Sequence, residues 1–485
     1  MSQIDHVFVL VLENRSFDHF FGLCGRPSVH RPGDSAFQAG ATDRAVFDPP
    51  HEFDSVQAQI AGGAMTGFDA RAKLAFLPSQ IPVVSQLADE FVLFDNWFAS
   101  VPGPTWPNRF FVHAASSGGL ATSPTQLQES GAVITTRSPF RFENGTIYDR
   151  LTSCGKKWRV YHGDVQPQVL ALPGMVRQYL DGSDHFCPLL DGDPHFSSFA
   201  ADVGDSGYEP VYTFIEPNYG IEMGSQFRFG DSQHPLGLVS AGESLIKHVF
   251  EALRNSPIWS SSALLVTWDE HGGFYDHVAP PPATPPGDEA LNGPPGGRAP
   301  PFAFDRLGVR VPALLISPLA PKGRLGSELF PGAVFDHSSI IRSVFERFEL
   351  GAALTARDGA APSWNACLRA DARDASQDAP TALAATFDNA RVVDATSAPR
   401  MSQLAVDGFL AGAALIAHEL DHEVASAAGR VPLAHNVPQS AAAYAAARQA
   451  SVRDPRFRSH VVQYINEVGV RVQGHRIRGA SQVEP

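Results

Sequence analysis

The apolar positions of this chain gather into short continuous runs, each closed by polar residues. The first, His6-Val7-Phe8-Val9-Leu10-Val11-Leu12, stops at Glu13-Asn14. Others span 158–161 before His162, 211–215 before Glu216, 263–268 before Asp269-Glu270, and 309–316 before Ser317. Runs this short, and this rich in β-branched and aliphatic residues, predict strands buried on both faces. Helical periodicity lies between them, over Ala241 to Asn255 and His337 to Phe348. Strands alternating with helices predict an α/β fold, a mostly parallel sheet covered by helices on both faces. Ligands of such sheets gather at the carboxyl ends of the strands. Glu13-Asn14 and Asp269-Glu270 are therefore expected on the functional edge.

Breaker residues mark where this pattern is interrupted. Residues 279–301, APPPATPPGDEALNGPPGGRAPP, are too rich in Pro and Gly for regular structure and predict a long surface loop. A second excursion is expected over 119–145. From about residue 352 the composition turns Ala- and Asp-rich and strand signals vanish, while Ser402 to Val470 reads mostly as helix. The expected division is a catalytic domain over 1–351 and a mainly helical C-terminal appendage over 352–485. No internal repeat is visible.

Composition narrows the class. Hydrophobic residues make up 44% and charged residues 18%, as in a globular chain. Net charge is 37 − 51 = −14, so no overall basic character favours nucleic acid or an anionic membrane. No apolar run approaches the length of a membrane span. The four cysteines, Cys24, Cys154, Cys187 and Cys367, show no paired metal spacing and are too few for a disulfide scaffold. The first strand starts near residue 6 with no basic leader before it, so the expected location is cytoplasmic, or secreted where a leader has been removed.

Three stretches carry chemistry. Glu13-Asn14 pairs a carboxylate with a carboxamide, hard oxygen donors suited to a divalent cation; alternatively Asn14 or Ser16 caps a helix starting near Phe17 and Glu13 is solvated. In SVPGPTWPNRFFVH, residues 100–113, Pro102-Gly103-Pro104 forces a turn and Pro107 suits a first helical turn, so Thr105 falls at or near an N-cap. Its hydroxyl would sit beside backbone N–H groups that steady an alkoxide or a bound phosphate; read locally, it is an ordinary cap. In LLVTWDEHGGFYDHV, residues 264–278, a strand delivers Asp269-Glu270-His271, a Gly272-Gly273 turn, then Asp276-His277. Adjacent carboxylates are costly to bury without a cation, which favours a metal or phosphate site over a solvated acidic turn. His51, His162 and His234, each taken alone, read as surface or structural histidines.

Taken together these stretches resemble the bacterial phosphoesterase family of phospholipases C and acid phosphatases, to which plant non-specific phospholipases C are related. The likeness rests on ENRSFDHFFG at 13–22, DPPHEF at 48–53, TWPNRFFVH at 105–113, EPNYG at 216–220, DSQHPLG at 231–237, TWDEHGGFYDHV at 267–278, GVRVPALLISP at 308–318 and FDHSSIIR at 335–342. The resemblance implies an alkaline-phosphatase-like core. It implies Glu13, Asn14, Asp269 and Glu270 as metal ligands, and Thr105 as nucleophile and additional metal contact. It implies active-site roles for His234 and, less directly, for His51 and His162. Sulfatases, distant relatives, need at the position of Thr105 a Cys that becomes formylglycine, so Thr argues against sulfatase chemistry.

The expected reaction is metal-dependent hydrolysis of a phosphate ester through a phosphothreonine intermediate, of acid phosphatase or phospholipase C type. In it Thr105 attacks phosphorus in line, and His234, protonated, serves the leaving oxygen and later, as the neutral ring, activates water. Asn108 orients a phosphoryl oxygen. One divalent cation is implied, Ca²⁺, Mg²⁺ or Mn²⁺ by the oxygen donors, with Zn²⁺ as the alternative. The expected partner is a phosphate-ester substrate, phospholipid among the candidates, and no nucleic acid; oligomeric state is left open. The alternatives are a phosphodiesterase acting on a soluble or nucleotide substrate and a metal-stabilised binding protein without turnover.

Overall fold

The computed structural model describes residues 4–385, apart from 27–28, 30–31, 125–137, 139, 164–166, 181–183, 190–198, 220–226, 228–229, 293–301, 370–372 and 374–378. The helices expected over Ser402 to Val470, and parts of both loop excursions, lie outside the described residues. The chain divides into two compact units, one of residues 1–124, 141–164 and 185–392, the other of 125–140, 165–184 and 393–485. The seven-stranded sheet and all the predicted site residues belong to the first. In the second, the described residues form a 3₁₀ turn at Gln168–Ala171 and a helix at Met175–Leu180.

Seven strands form the central sheet: β1 (His6–Leu12), β2 (Val92–Phe94), β3 (Trp158–His162), β4 (Phe186–Pro188), β5 (Tyr212–Glu216), β6 (Ser262–Trp268) and β7 (Ala313–Ile316). Their spatial order is β2-β7-β6-β1-β5-β3-β4. β6, β1, β5, β3 and β4 are parallel, while β7 runs antiparallel to both β6 and β2. In β1, residues on both faces are buried, Phe8, Val9, Leu10, Val11 and Leu12 being wholly inaccessible. That pattern follows from a central parallel strand covered on two sides. The α/β reading therefore holds.

Six helices matter for the site: α1 (Phe17–Phe21), α2 (Phe53–Ile60), α3 (Pro82–Glu90), α4 (Thr105–Ala114), α5 (Val239–Arg254) and α6 (Ser338–Phe348). α3 packs on α5 and α4 on α6. The first pair is locked by Glu243 of α5, whose carboxylate accepts from Val83 N at 2.7 Å and Val84 N at 3.1 Å, two of the amides that an N-terminus leaves over. The run at 309–316 yields a strand only over its last four residues. Gly308 N instead donates to Ala99 O and Val311 N to Trp97 O, so the preceding chain pairs beside the sheet. Residues 279–292 of the Pro- and Gly-rich loop hold no helix or strand beyond a bridge between Pro282 and Arg306. Past residue 351 the first unit continues: Arg357 pairs with Asp336 at 3.0 Å and Trp364 is buried.

Candidate active site

β1 and β6 lie side by side in register, Leu12 beside Trp268, so the residues that follow each strand leave the same edge together. Asn14 takes a left-handed backbone (φ 58°), and Gly272 does the same (φ 65°). The two turns touch, since a Cβ at 272 would stand 2.3 Å from Asn14 O. Gly is required there by contact as well as by φ. Asn14 N donates to Asp269 Oδ1 at 3.1 Å, Glu270 N donates to the same oxygen at 2.7 Å, and Gly272 N donates to Glu270 Oε2 at 2.7 Å. Backbone amides thus orient both carboxylates of Asp269-Glu270.

Of the alternatives open for the first turn, Ser16 is the cap: its side chain accepts from His19 N, while Asn14 is left for the site. Thr105 is not a cap. Pro104 holds that position, without a side-chain cap bond, and Thr105 is the first helical residue of α4. Its Oγ1 instead donates to Asn14 Oδ1 at 3.2 Å.

Glu13, Asp269 and Glu270 are all buried. Burial, reinforced by the charge of Asp269, pushes the Glu13 carboxyl up to about 8, and burial pushes Asp269 up to about 6 against the pull of Arg109. Glu13 Oε2 and Glu270 Oε1 have no hydrogen-bond partner, and neither does Asn14 Nδ2. Two unpartnered carboxylate oxygens and a carboxamide oxygen with a lone pair to spare suit a hard divalent cation. The donors fit such an ion.

Arg109, from α4, was not legible as a site residue. Its Nε donates to Asp269 Oδ2 at 2.9 Å, and its Nη2 donates to Val11 O and Leu12 O at 3.1 and 3.2 Å. The guanidinium also lies over the Tyr219 ring. One side chain therefore ties α4, with Thr105 at its start, to the end of β1 and to Asp269. Asn108 corrects the sequence reading. Its Oδ1 accepts from Val101 N, and its Nδ2 faces the carbonyls of Val101, Gly103 and Pro104. That carboxamide is consumed in shaping the Pro-Gly-Pro turn and has nothing left for a phosphoryl oxygen.

The histidines divide. His51 approaches the carboxylates, its Nε2 lying 4.0 Å from Glu270 Oε1, and His234 lies beside His51, ring centroids 6.2 Å apart. His51 Nδ1 is held by Pro49 O at 2.7 Å, so its proton lies there and Nε2 faces the site. His234 stacks on Phe227, and its Nδ1 accepts from Leu236 N at 3.3 Å. This fixes the neutral tautomer with hydrogen on Nε2, 3.9 Å from Asp48 Oδ2. Burial drives the His234 pKa down to about 2, so the protonated His234 expected from sequence is replaced by a neutral donor. Arg15 holds this loop through Gln233 O at 2.9 Å and His234 O at 3.3 Å. His162 ends β3 beside Glu216, on the same edge but separated from β1 by β5.

Among the described residues two acid–histidine clusters close to within 4.8 Å, and neither is the Glu13–Asp269–Glu270 set. Asp48, His51 and His234 form one, but the lone pair of His234 Nδ1 is taken by Leu236, leaving hydrogen rather than a lone pair on Nε2. Asp18, Asp276 and His277 form the other. It is closed by Arg310, 2.9 Å from Asp18 and 3.1 Å from Asp276, with His277 Nδ1 2.7 Å from Asp18. Asp276-His277, read from sequence as part of the reactive cluster, is thus a buried ion network that fastens α1 to the turn after β6.

Three buried carboxylates at the carboxyl ends of adjacent parallel strands, with a helix-borne hydroxyl hydrogen-bonded to Asn14 and His51 beside Glu270, make this an α/β site at the strand ends. The profile of the Phosphoesterase family matches residues 4–351, and the chain belongs to that family, hydrolases of phosphoric ester bonds. It is 34% identical over 405 residues to non-specific phospholipase C1 of Arabidopsis thaliana, covering 76% of this chain and 71% of that one. Phospholipase C A of Mycobacterium tuberculosis is 28% identical over 410 residues, 72% and 73% of the two chains. A solved member of the alkaline phosphatase superfamily from Vibrio parahaemolyticus overlaps 75% of this chain and 71% of its own, with 11% identity and a TM-score of 0.32.

Proposed function

We propose that this protein is a divalent-metal-dependent phosphoesterase of phospholipase C type, acting through a covalent intermediate on Thr105. The observation that carries this reading is the Thr105 hydroxyl, which leaves its own helix uncapped and turns to Asn14 beside buried carboxylates. Glu13, Asn14, Thr105, Asp269 and Glu270 would hold the cation, which when bound offsets phosphoryl charge and lowers the cost of the Thr105 alkoxide. Asn14 orients Oγ1 for in-line attack. Attack forms the Oγ–P bond and breaks the P–O bond to the leaving alcohol. Thr105 attacks as the alkoxide, its proton released to solvent beforehand. His51, as the imidazolium, hands its Nε2 proton to the leaving oxygen and then, as the neutral ring with hydrogen kept on Nδ1, takes one from the water that attacks phosphorus. His234 Nε2–H donates to a phosphoryl oxygen as a neutral group. With a phosphodiester substrate the intermediate keeps its head group, so it is a phosphothreonine diester.

The test is a panel of p-nitrophenyl phosphate, p-nitrophenyl phosphorylcholine and bis-p-nitrophenyl phosphate. Turnover of p-nitrophenyl phosphorylcholine, lost on chelation and restored by metal, is the expected result. Preference for the monoester would make the protein a phosphatase, and activity indifferent to chelation would remove the cation.

Linkage gives a second test. Carboxyls whose folded-state pKa is raised add stability below about pH 4, which is lost as pH rises through about 6 for Asp269 and 8 for Glu13. The metal-free protein therefore loses this contribution between about pH 4 and 8. A cation competes with those protons, so Mn²⁺ should raise the melting temperature more at pH 8.5 than at pH 5.5. An equal shift at both pH values would show that these carboxylates are not its ligands.

A further inference from the structure

The segment FDHSS at 335–339 lies outside the chemistry described so far, yet it reaches the site. His337, fully buried, has its Nε2 2.6 Å from Asp269 O, the main-chain carbonyl of the residue whose carboxylate faces Glu13 and Arg109. Trp97 Nε1 donates to the other ring nitrogen, Nδ1, at 3.4 Å. A nitrogen that receives an N–H is unprotonated, so the ring carries its hydrogen on Nε2 and donates it to Asp269. The ring has a fixed direction.

Its own backbone is pinned as well. His337 N donates to Ser100 Oγ at 3.2 Å, and Ser100 Oγ donates to Asp336 Oδ2 at 3.0 Å. Asp336 also receives Arg357 Nη1 at 3.0 Å and Ser338 N at 3.1 Å. Trp97 packs against Phe335 and Trp364. Every group in the chain from Arg357 to Asp269 is thus held by another.

We propose that His337 is a positioning residue for the cation site: an imidazole oriented by Trp97 that fixes the backbone at Asp269, and with it the direction of the Asp269-Glu270 carboxylates. The inference rests on the cation reading above. Asp269 has one oxygen tied to amides and the other to Arg109, so its carboxylate is set relative to its own main chain. Releasing that main chain would let both acidic residues rotate away from Glu13. Groups that orient metal ligands from behind typically change affinity 10–100-fold when removed.

The test is Mn²⁺ titration of metal-free full-length chain, with free Mn²⁺ read by electron paramagnetic resonance. His337→Leu removes the donor, while His337→Gln keeps an N–H able to reach the carbonyl. The expected result is a 10–100-fold weaker Mn²⁺ dissociation constant for His337→Leu and substantial rescue by His337→Gln. If His337→Leu does not fold, Trp97→Phe, which frees the ring to turn, should weaken Mn²⁺ several-fold. Wild-type affinity in His337→Leu, or in Trp97→Phe where that variant must serve, would overturn the proposal. Equal weakening in the Leu and Gln variants would also overturn it, because lost packing would then suffice. A wild-type chain that binds no Mn²⁺ would remove the cation reading and the brace with it.

Discussion

Thr105→Ala is expected to abolish turnover while leaving the fold in place. The hydroxyl is the nucleophilic group that α4 presents to Asn14 at its N-terminus, and under the proposed mechanism its removal takes away the atom that attacks phosphorus. Losing a covalent nucleophile should cut kcat/KM by roughly 10³-fold or more. The stability cost is small. Thr105 caps nothing, and one neutral hydrogen bond of 3.2 Å contributes only about 0.5–1.5 kcal/mol net. Thr105→Ser keeps the attacking oxygen and should retain measurable activity. Steady-state kinetics with urea unfolding separates these outcomes. More than about a tenth of wild-type kcat/KM in the alanine variant, a barrier change under ~1.4 kcal/mol, would transfer the attack to water.

The largest effect on folding is expected from Arg109→Ala. This guanidinium is the counter-charge of Asp269 and the donor to Val11 O and Leu12 O, all buried. Removing it strands a carboxylate among Glu13 and Glu270 and takes one donor each from Val11 O and Leu12 O, the latter keeping Asp269 N. Breaking a buried pair in this way costs about 3–5 kcal/mol. The deficit should depend on pH. Asp269 already has its pKa raised to about 6, so at pH 5 it accepts a proton and the penalty shrinks, whereas at pH 8 the charge must be buried in full. Arg109→Lys keeps the charge but not the fork and should recover only part of the loss. Urea unfolding at both pH values checks this. A deficit below about 1 kcal/mol at pH 8 would show that Asp269 does not depend on Arg109.

The sheet was legible where strands are long and buried on both faces. β1 and β6 read almost to the residue because each is built on an unbroken apolar run, Val7 to Leu12 and Ala263 to Val266, that suits a strand buried on both faces. β2 and β4, three residues each, leave no such trace and are defined by the neighbours they pair with. Glu13-Asn14 and Asp269-Glu270 stood out because polar pairs seldom follow such runs. Residue type does not reveal what a polar group is spent on. Asn108 and Asp276-His277 carry suitable chemistry, yet their atoms are engaged by a turn and by Arg310. Arg109 and His337 were invisible for the converse reason: their partners are main-chain carbonyls and a carboxylate 68 to 160 positions away. The protonation of His234 could not be read either, because Leu236 N and Phe227 set it by geometry.

The central claim is the covalent role of Thr105, and trapping the intermediate tests it most directly. The protein would be mixed with p-nitrophenyl phosphorylcholine, quenched in acid within a turnover, digested, and the peptide containing Thr105 weighed by mass spectrometry. A phosphorylcholine adduct on Thr105 is expected, absent from Thr105→Ala and more abundant when His51→Ala slows attack by water. An unmodified Thr105 peptide throughout a burst of p-nitrophenolate, with the adduct on another residue, would contradict it.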